Sequence, residues 1–152
     1  MANNSKNILV VSISVAAIVI SLVAIAMPLQ TASQPNTSHY TGKKREFWLF
    51  DTDIPALNET KMGMSHDIFS ISSIAAYKGD TIVIHFFNIE APSGDSHSFT
   101  IFEKPYDVNA VLNPGENKTI TLDANTTGTF TYLCTFHQPT MRGQLIVQPP
   151  PF

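Results

Sequence analysis

One cysteine stands among 152 residues, which excludes an internal disulfide and leaves the Cys134 thiol to packing, catalysis or metal binding. Basic residues are scarce. From Glu46 on, Lys61, Lys78, Lys104, Lys118 and Arg142 face all twelve acids, an excess of seven negative charges. That balance argues against nucleic acid, which requires a basic footprint, and is compatible with a positively charged protein surface. The sequence has no glycine-rich phosphate loop and no internal repeat. After residue 27 no stretch of helical periodicity reaches the length of an ordinary helix.

A long hydrophobic run is present once. Residues 8–27 are twenty in a row without a charge, rich in Ile, Val, Leu and Ala, and Pro28 ends them. Twenty apolar residues span about 30 Å of hydrocarbon, whereas the apolar part of a secretory signal is about 7–15 residues long. Residues 1–27 are therefore read as an uncleaved N-terminal transmembrane helix, with a signal peptide cut near the small residues Ala24 and Ala26 as the alternative. Lys6 and the amino terminus would stay in the cytoplasm, although Lys43, Lys44 and Arg45 on the far side run against the positive-inside pattern. With no second span downstream, the remainder would be exported from a single-pass anchor in the cell membrane. Four Asn-x-Ser/Thr triplets, at Asn36, Asn58, Asn117 and Asn125, agree with that side of the membrane. Residues 28–45 are mostly Gln, Thr, Ser, Asn and Pro and read as a polar linker.

Residues 46–152, about 107 in number, are the size of one small domain. Strand-like runs recur there, separated by turn residues every 8–12 positions, as in an all-β sandwich or barrel of 7–8 strands. The run 46–51 opens the series, and 67–77 is rich in β-branched residues. Thr81 to Phe87 is apolar on both faces, as a strand buried between two layers would be. His85 in its middle reads as a core or hydrogen-bonded residue. His97 stands at a strand entrance beside the polar loop 88–96, where binding residues commonly sit. Between them, Met62, Met64 and His66 form a Met-x-Met-x-His pattern, which suits loop packing better than a Cu(I) site.

The densest chemistry lies near the C-terminus. Cys134 is followed by His137 three residues on and by Met141 four beyond that. Phe130, Tyr132 and Cys134 share one face of the strand leading in, and residues 143–148 form the strand leading out. Thiolate, imidazole and thioether together suit copper passing between Cu(I) and Cu(II). Two plainer readings compete. A lone cysteine is often a small core hydrophobe, and a Cys/His pair can be hydrolytic, though no oxyanion hole is apparent. Met141 and the upstream His97 tip the balance to metal.

Three stretches together resemble the cupredoxins, small blue-copper proteins such as plastocyanin and amicyanin. They are YKGDTIVIHFFN (77–88), DSHSFTI (95–101) and YLCTFHQPTMRG (132–143). The anchor and linker look like those of membrane-bound archaeal cupredoxins, a looser match. The resemblance implies a Greek-key β-sandwich holding one type 1 copper, with His97, Cys134 and His137 as strong ligands and Met141 as the weak axial one. It also implies that the Ser98 backbone N–H donates to the cysteine sulfur. One departure stands out: the loop is Cys-x2-His-x3-Met, between the amicyanin and plastocyanin lengths, with Pro139 inside.

These features suggest an exported, membrane-tethered carrier of single electrons between redox proteins, rather than an enzyme. Phe136, Pro139 and Pro105 would form an apolar docking face around His137. The alternative is a copper protein with an open axial position, reacting with a small molecule such as nitric oxide or nitrite. A third reading is a copper carrier with Met62, Met64 and His66 as an entry site.

Overall fold

The computed structural model describes residues 39–151. The expected anchor over residues 8–27, and the linker up to residue 38, lie outside the described residues. Among the described residues no helix is long and apolar enough to cross a membrane.

Among the described residues nine strands follow in order: β1 (Lys44–Asp53), β2 (Asp67–Phe69), β3 (Ser73–Tyr77), β4 (Thr81–Phe87), β5 (His97–Ile101), β6 (Val108–Leu112), β7 (Asn117–Asp123), β8 (Gly128–Leu133) and β9 (Arg142–Gln148). A helical turn, α1 (Glu59–Met62), starts at the Asn58 side chain and ends at Gly63, whose left-handed backbone (φ 66°) suits glycine. The strands form one sheet of four, in the order β2-β1-β4-β7, and one of five, in the order β3-β9-β8-β5-β6. Both sheets are mixed, because β1 runs parallel to β4 and β3 parallel to β9.

The expectation of 7–8 strands is corrected to nine. The run 67–77 is two strands, because its halves belong to different sheets. β2 pairs with β1 in the first sheet and β3 with β9 in the second, so the chain must break at residues 70–72 to cross between them. β1 also begins at Lys44, and Tyr40 before it already bonds to the fold, so the domain starts earlier than residue 46.

The core follows the sequence alternation. Ile82, Ile84 and Phe86 on β4 face Phe99 and Ile101 on β5 and Leu145 on β9, all buried in one apolar cluster. Four rings, Phe69, Phe86, Phe99 and Tyr132, pack with centroids 5.2 to 6.5 Å apart. Aromatic pairs of this kind contribute about 0.5–1.5 kcal/mol each beyond the area they bury. Tyr132 also donates its hydroxyl to the Ile71 carbonyl, which fixes the turn between β2 and β3. Its ring lies over Gly143, the residue opposite it on β9, where a Cβ would come within 2.3 Å of the ring.

Asp80 ties the start of the domain together. Its buried carboxylate accepts from the Lys43 and Tyr77 backbone N–H groups at 2.7 and 2.8 Å, and from the Arg45 guanidinium and the Tyr40 hydroxyl. Burial opposes its ionisation, but these donors outweigh it and hold the carboxyl far below the usual carboxylate range. The KGD motif of the sequence is thus a carboxylate that joins β1 to the β3–β4 turn.

Candidate metal centre

β8 lies between β5 and β9, and this placement assembles the site. The antiparallel pairing of Thr100 with Leu133 brings Ser98 and Cys134 together. Thr135 N–H donates to Ser98 Oγ at 2.9 Å, and the Ser98 N–H donates to Cys134 Sγ at 3.3 Å. The expected donor to the sulfur is therefore in place.

His97, at the first position of β5, and His137, on the β8–β9 loop, point the same ring atom at the sulfur. Cys134 Sγ is 4.0 Å from His97 Nδ1 and 3.5 Å from His137 Nδ1, and the two Nδ1 atoms are 3.0 Å apart. His97 and Cys134 are fully buried, and the His137 side chain is 13 % exposed. Met141, also fully buried, lies at the end of the same loop.

The loop is held by its own hydrogen bonds. Cys134 N–H donates to the Met141 carbonyl at 2.9 Å, and Met141 N–H to the His137 carbonyl at 3.0 Å. Gln138 Nε2 donates to the carbonyls of Cys134 and Met141 at 2.7 and 3.1 Å. On the other side, the buried Asn88 side chain donates to the carbonyls of Asp95 and Leu112, which fixes the approach to His97.

The electrostatics favour a metal-ready sulfur. Burial pushes the Cys134 thiol up, but His97, the Ser98 and Phe136 N–H groups and His137 outweigh it and bring the value down from 9.0 to about 6. His97 moves the other way. Burial opposes its charge, yet the Cys134 sulfur and the Asp51 and Asp67 carboxylates raise its value.

Whether these residues fit a metal is tested by their spacing. Ligand bonds of about 2.0–2.3 Å place the donors of one ion roughly 3–4 Å apart, and the three donor atoms here are separated by 3.0 to 4.0 Å. A thiolate, two imidazole Nδ1 atoms and a thioether on the same loop are the donor types of a type 1 copper. The residues fit that ion.

Of the remaining sequence candidates, Met64 and Phe136 line a groove beside His137, whereas His85, His66, Met62 and Pro105 lie outside the His97–Cys134–His137 cluster. The half-buried His85 bonds to Thr119 Oγ1 at 3.1 Å and stacks on Trp48, so it is a hydrogen-bonded sheet residue. His66 is taken up by Glu59, which accepts from its backbone N–H at 2.8 Å and contacts its Nδ1 at 2.6 Å. Met62 is exposed on α1. Pro105 is a correction: it lies with Tyr106 in the β5–β6 hairpin, next to Asp123 at the end of β7, at the end of the sandwich away from His137. Phe136 does flank His137 and is 55 % exposed.

Four acids went unread in the sequence. His97 Nε2 faces Asp51 at 3.8 Å and Glu90 at 3.9 Å, and His137 Nε2 faces Asp67 at 3.5 Å and Asp95 at 3.6 Å. Strand pairing brings Asp51 and Asp67 to the histidines, and the loop over residues 88–96 brings Glu90 and Asp95, so spacing along the chain carried no signal beyond net charge.

A two-sheet all-β sandwich with a buried Cys–His–His cluster at one end defines a class of copper-binding domain. The chain belongs to the cupredoxin-like domain family, whose sequence model matches residues 17–147. No curated protein matches the sequence significantly. Among solved structures, the copper nitrite reductase of Nitrosomonas europaea superposes with a TM-score of 0.53 at 22% identity, covering 70% of this chain and 42% of that one. The L499M laccase of B. aclada gives 0.53 at 22% identity, over 73% of this chain and 23% of that one. Rusticyanin from Thiobacillus ferrooxidans gives 0.52 at 22% identity, over 72% of this chain and 80% of that one. The chain thus spans less than half of the two enzymes and most of the small protein. At these identities the likeness is one of fold.

Proposed function

We propose that this protein is an exported, membrane-tethered type 1 copper protein that carries single electrons between redox proteins. The observation that carries this reading is the convergence of His97 Nδ1, Cys134 Sγ and His137 Nδ1 in a buried pocket, with the Ser98 N–H on the sulfur. A copper ion held there supplies a one-electron couple. His97, Cys134 and His137 would be its strong ligands. Met141, buried at the end of the loop, would supply a weaker thioether ligand.

The chain's own residues favour transfer over substrate chemistry. The loop is pinned at both ends by backbone bonds and by Gln138, so little has to move when charge changes. Ser98 N–H stabilises charge on the sulfur and contributes to setting the potential. His137 is the partly exposed donor, beside Phe136 and a shallow groove lined by Met64, Asp95 and Gln138. A partner would dock at this edge. The apolar run over residues 8–27 supports a tether that keeps the domain at the outer face of the membrane.

An optical spectrum of the Cu(II)-loaded exported part, before and after azide, tests the reading. An intense blue band unchanged by azide is expected. A red or purple spectrum that responds to azide would instead favour the open axial site and a small-molecule reaction, and would remove Met141 from the ligands.

A further inference from the structure

Asp51 and Asp67 occupy positions that the strand pattern reserves for apolar residues. On β1 the inward positions are Leu49 and Asp51, and on β2 they are Asp67 and Phe69. Both acids are 2 % exposed. A carboxylate at a core position carries a large desolvation cost unless its surroundings compensate, and such breaks in a pattern cluster at functional sites.

The compensation is only partial within the strands. Asp51 Oδ1 accepts from the Ile89 N–H at 2.7 Å, and Asp67 Oδ2 accepts from the Ser65 hydroxyl at 2.6 Å. Asp51 Oδ2 is left facing His97 Nε2 at 3.8 Å, and Asp67 Oδ2 faces His137 Nε2 at 3.5 Å. His97 Nε2 is completely buried and has no hydrogen-bond partner. Closing these contacts to hydrogen-bond length, about 2.9 Å, takes a movement of under about 1 Å. The β1–β2 pairing, which sets Asp51 opposite Phe69 and Asp53 opposite Asp67, brings both acids to the metal end of one strand pair.

We propose that Asp51 and Asp67 are positioning residues for the metal centre, each accepting the outer N–H of one histidine ligand and so fixing its Nδ1 toward the metal. Glu90 and Asp95 add a second, more exposed carboxylate behind each ring. Two consequences follow. The rings are pre-oriented, which strengthens binding of any ion that takes a Cys–His–His set. The buried negative charge favours the more highly charged state of that ion, so it lowers the potential of a copper couple. This inference rests on the ligand assignment proposed above.

The test compares Asp51→Asn and Asp67→Asn with wild type and with Asp123→Asn, an exposed acid at the far end of the sandwich. Two readouts are taken, Zn2+ affinity and the copper reduction potential. Removal of such an outer partner lowers metal affinity by about 10–100-fold, and that loss of Zn2+ affinity is expected at both positions. The copper potential is expected to rise, by about 59 mV for each tenfold shift in the Cu(II)/Cu(I) affinity ratio. Asp123→Asn should leave both unchanged. Should asparagine at a buried position prevent folding, Glu90→Gln and Asp95→Asn carry the same test, with smaller shifts in the same direction. Zn2+ affinity and copper potential at wild-type values in these variants would overturn the proposal while leaving the electron-carrier reading intact. A wild-type protein that binds Zn2+ tightly but gives no reversible copper couple would sink the carrier reading, and the Zn2+ series would still decide the role of the acids.

Discussion

Cys134 is a buried thiol surrounded by donors, and its acidity follows from them. The His97 ring, the Ser98 and Phe136 N–H groups and the His137 ring together outweigh burial and bring it to about 6. The metal-free protein is therefore expected to keep its ultraviolet thiolate absorption at neutral pH and to lose it with a midpoint near pH 6. A midpoint near the free-thiol value of about 8.5 would show that the histidines do not engage the sulfur. Cys134→Ser should abolish the signal and the coloured copper complex together. At this scale the clustering of His97, Cys134 and His137 was readable, because Cys134 and His137 share one loop with Met141 and His97 carries its own motif. The acids behind the rings were not, because Asp51 precedes His97 by 46 positions and Asp67 precedes His137 by 70. A carboxylate at an inward strand position is visible as an anomaly only once the strand's faces are known.

Among the elements, β8 and β9 frame the loop, and Gly143 sets how closely they approach. A Cβ there meets the Tyr132 ring at 2.3 Å, and Tyr132 lies two residues before Cys134. Gly143→Ala should cost about 1–3 kcal/mol by overpacking and should also disturb the copper spectrum, since it moves the strand that follows Met141. Loss of stability with an unchanged spectrum would show that the loop is insulated from its frame. A second element-scale prediction concerns Asp80, which ties Tyr40, Lys43 and Arg45 to the β3–β4 turn. Breaking a buried pair of this type costs about 3–5 kcal/mol, so Asp80→Asn should lower stability by that order in denaturant melts at neutral pH. The carboxyl is depressed in the fold, so its contribution is fully present above the ordinary value of 3.8 and is lost as pH falls below it. The gap between wild type and Asp80→Asn should therefore narrow in melts at progressively lower pH; a constant gap would assign the loss to packing. Strand existence was legible from alternation, and β4, β5 and β8 lie where the pattern put them. The break at residues 70–72 was not legible, because β-branched residues continue through it and only pairing with different sheets separates β2 from β3.

For the molecule as a whole, charge decides which partners approach quickly. Residues 46–152 carry seven excess negative charges. Some of them surround the edge through which electrons are proposed to pass. Asp95 stands 3.6 Å from His137 Nε2 with its side chain 71% exposed, and Glu59 lines the same groove. Charges of one sign around a reactive edge raise encounter rates with the opposite sign by about 10- to 1000-fold at low salt. Salt removes the effect once the screening length falls to about 10 Å, near 0.1 M. The reduced copper protein should accordingly react faster with a small cationic cobalt complex than with an anionic oxidant of similar driving force. Its rate with the cation should fall as salt is added, and its rate with the anion should rise. Asp95→Asn should flatten both slopes, because it removes the exposed charge beside the His137 ring. Stopped-flow traces over a range of ionic strength decide the matter. Slopes untouched by Asp95→Asn would place the point of transfer away from His137, and the docking edge would have to be sought on another face of the sandwich.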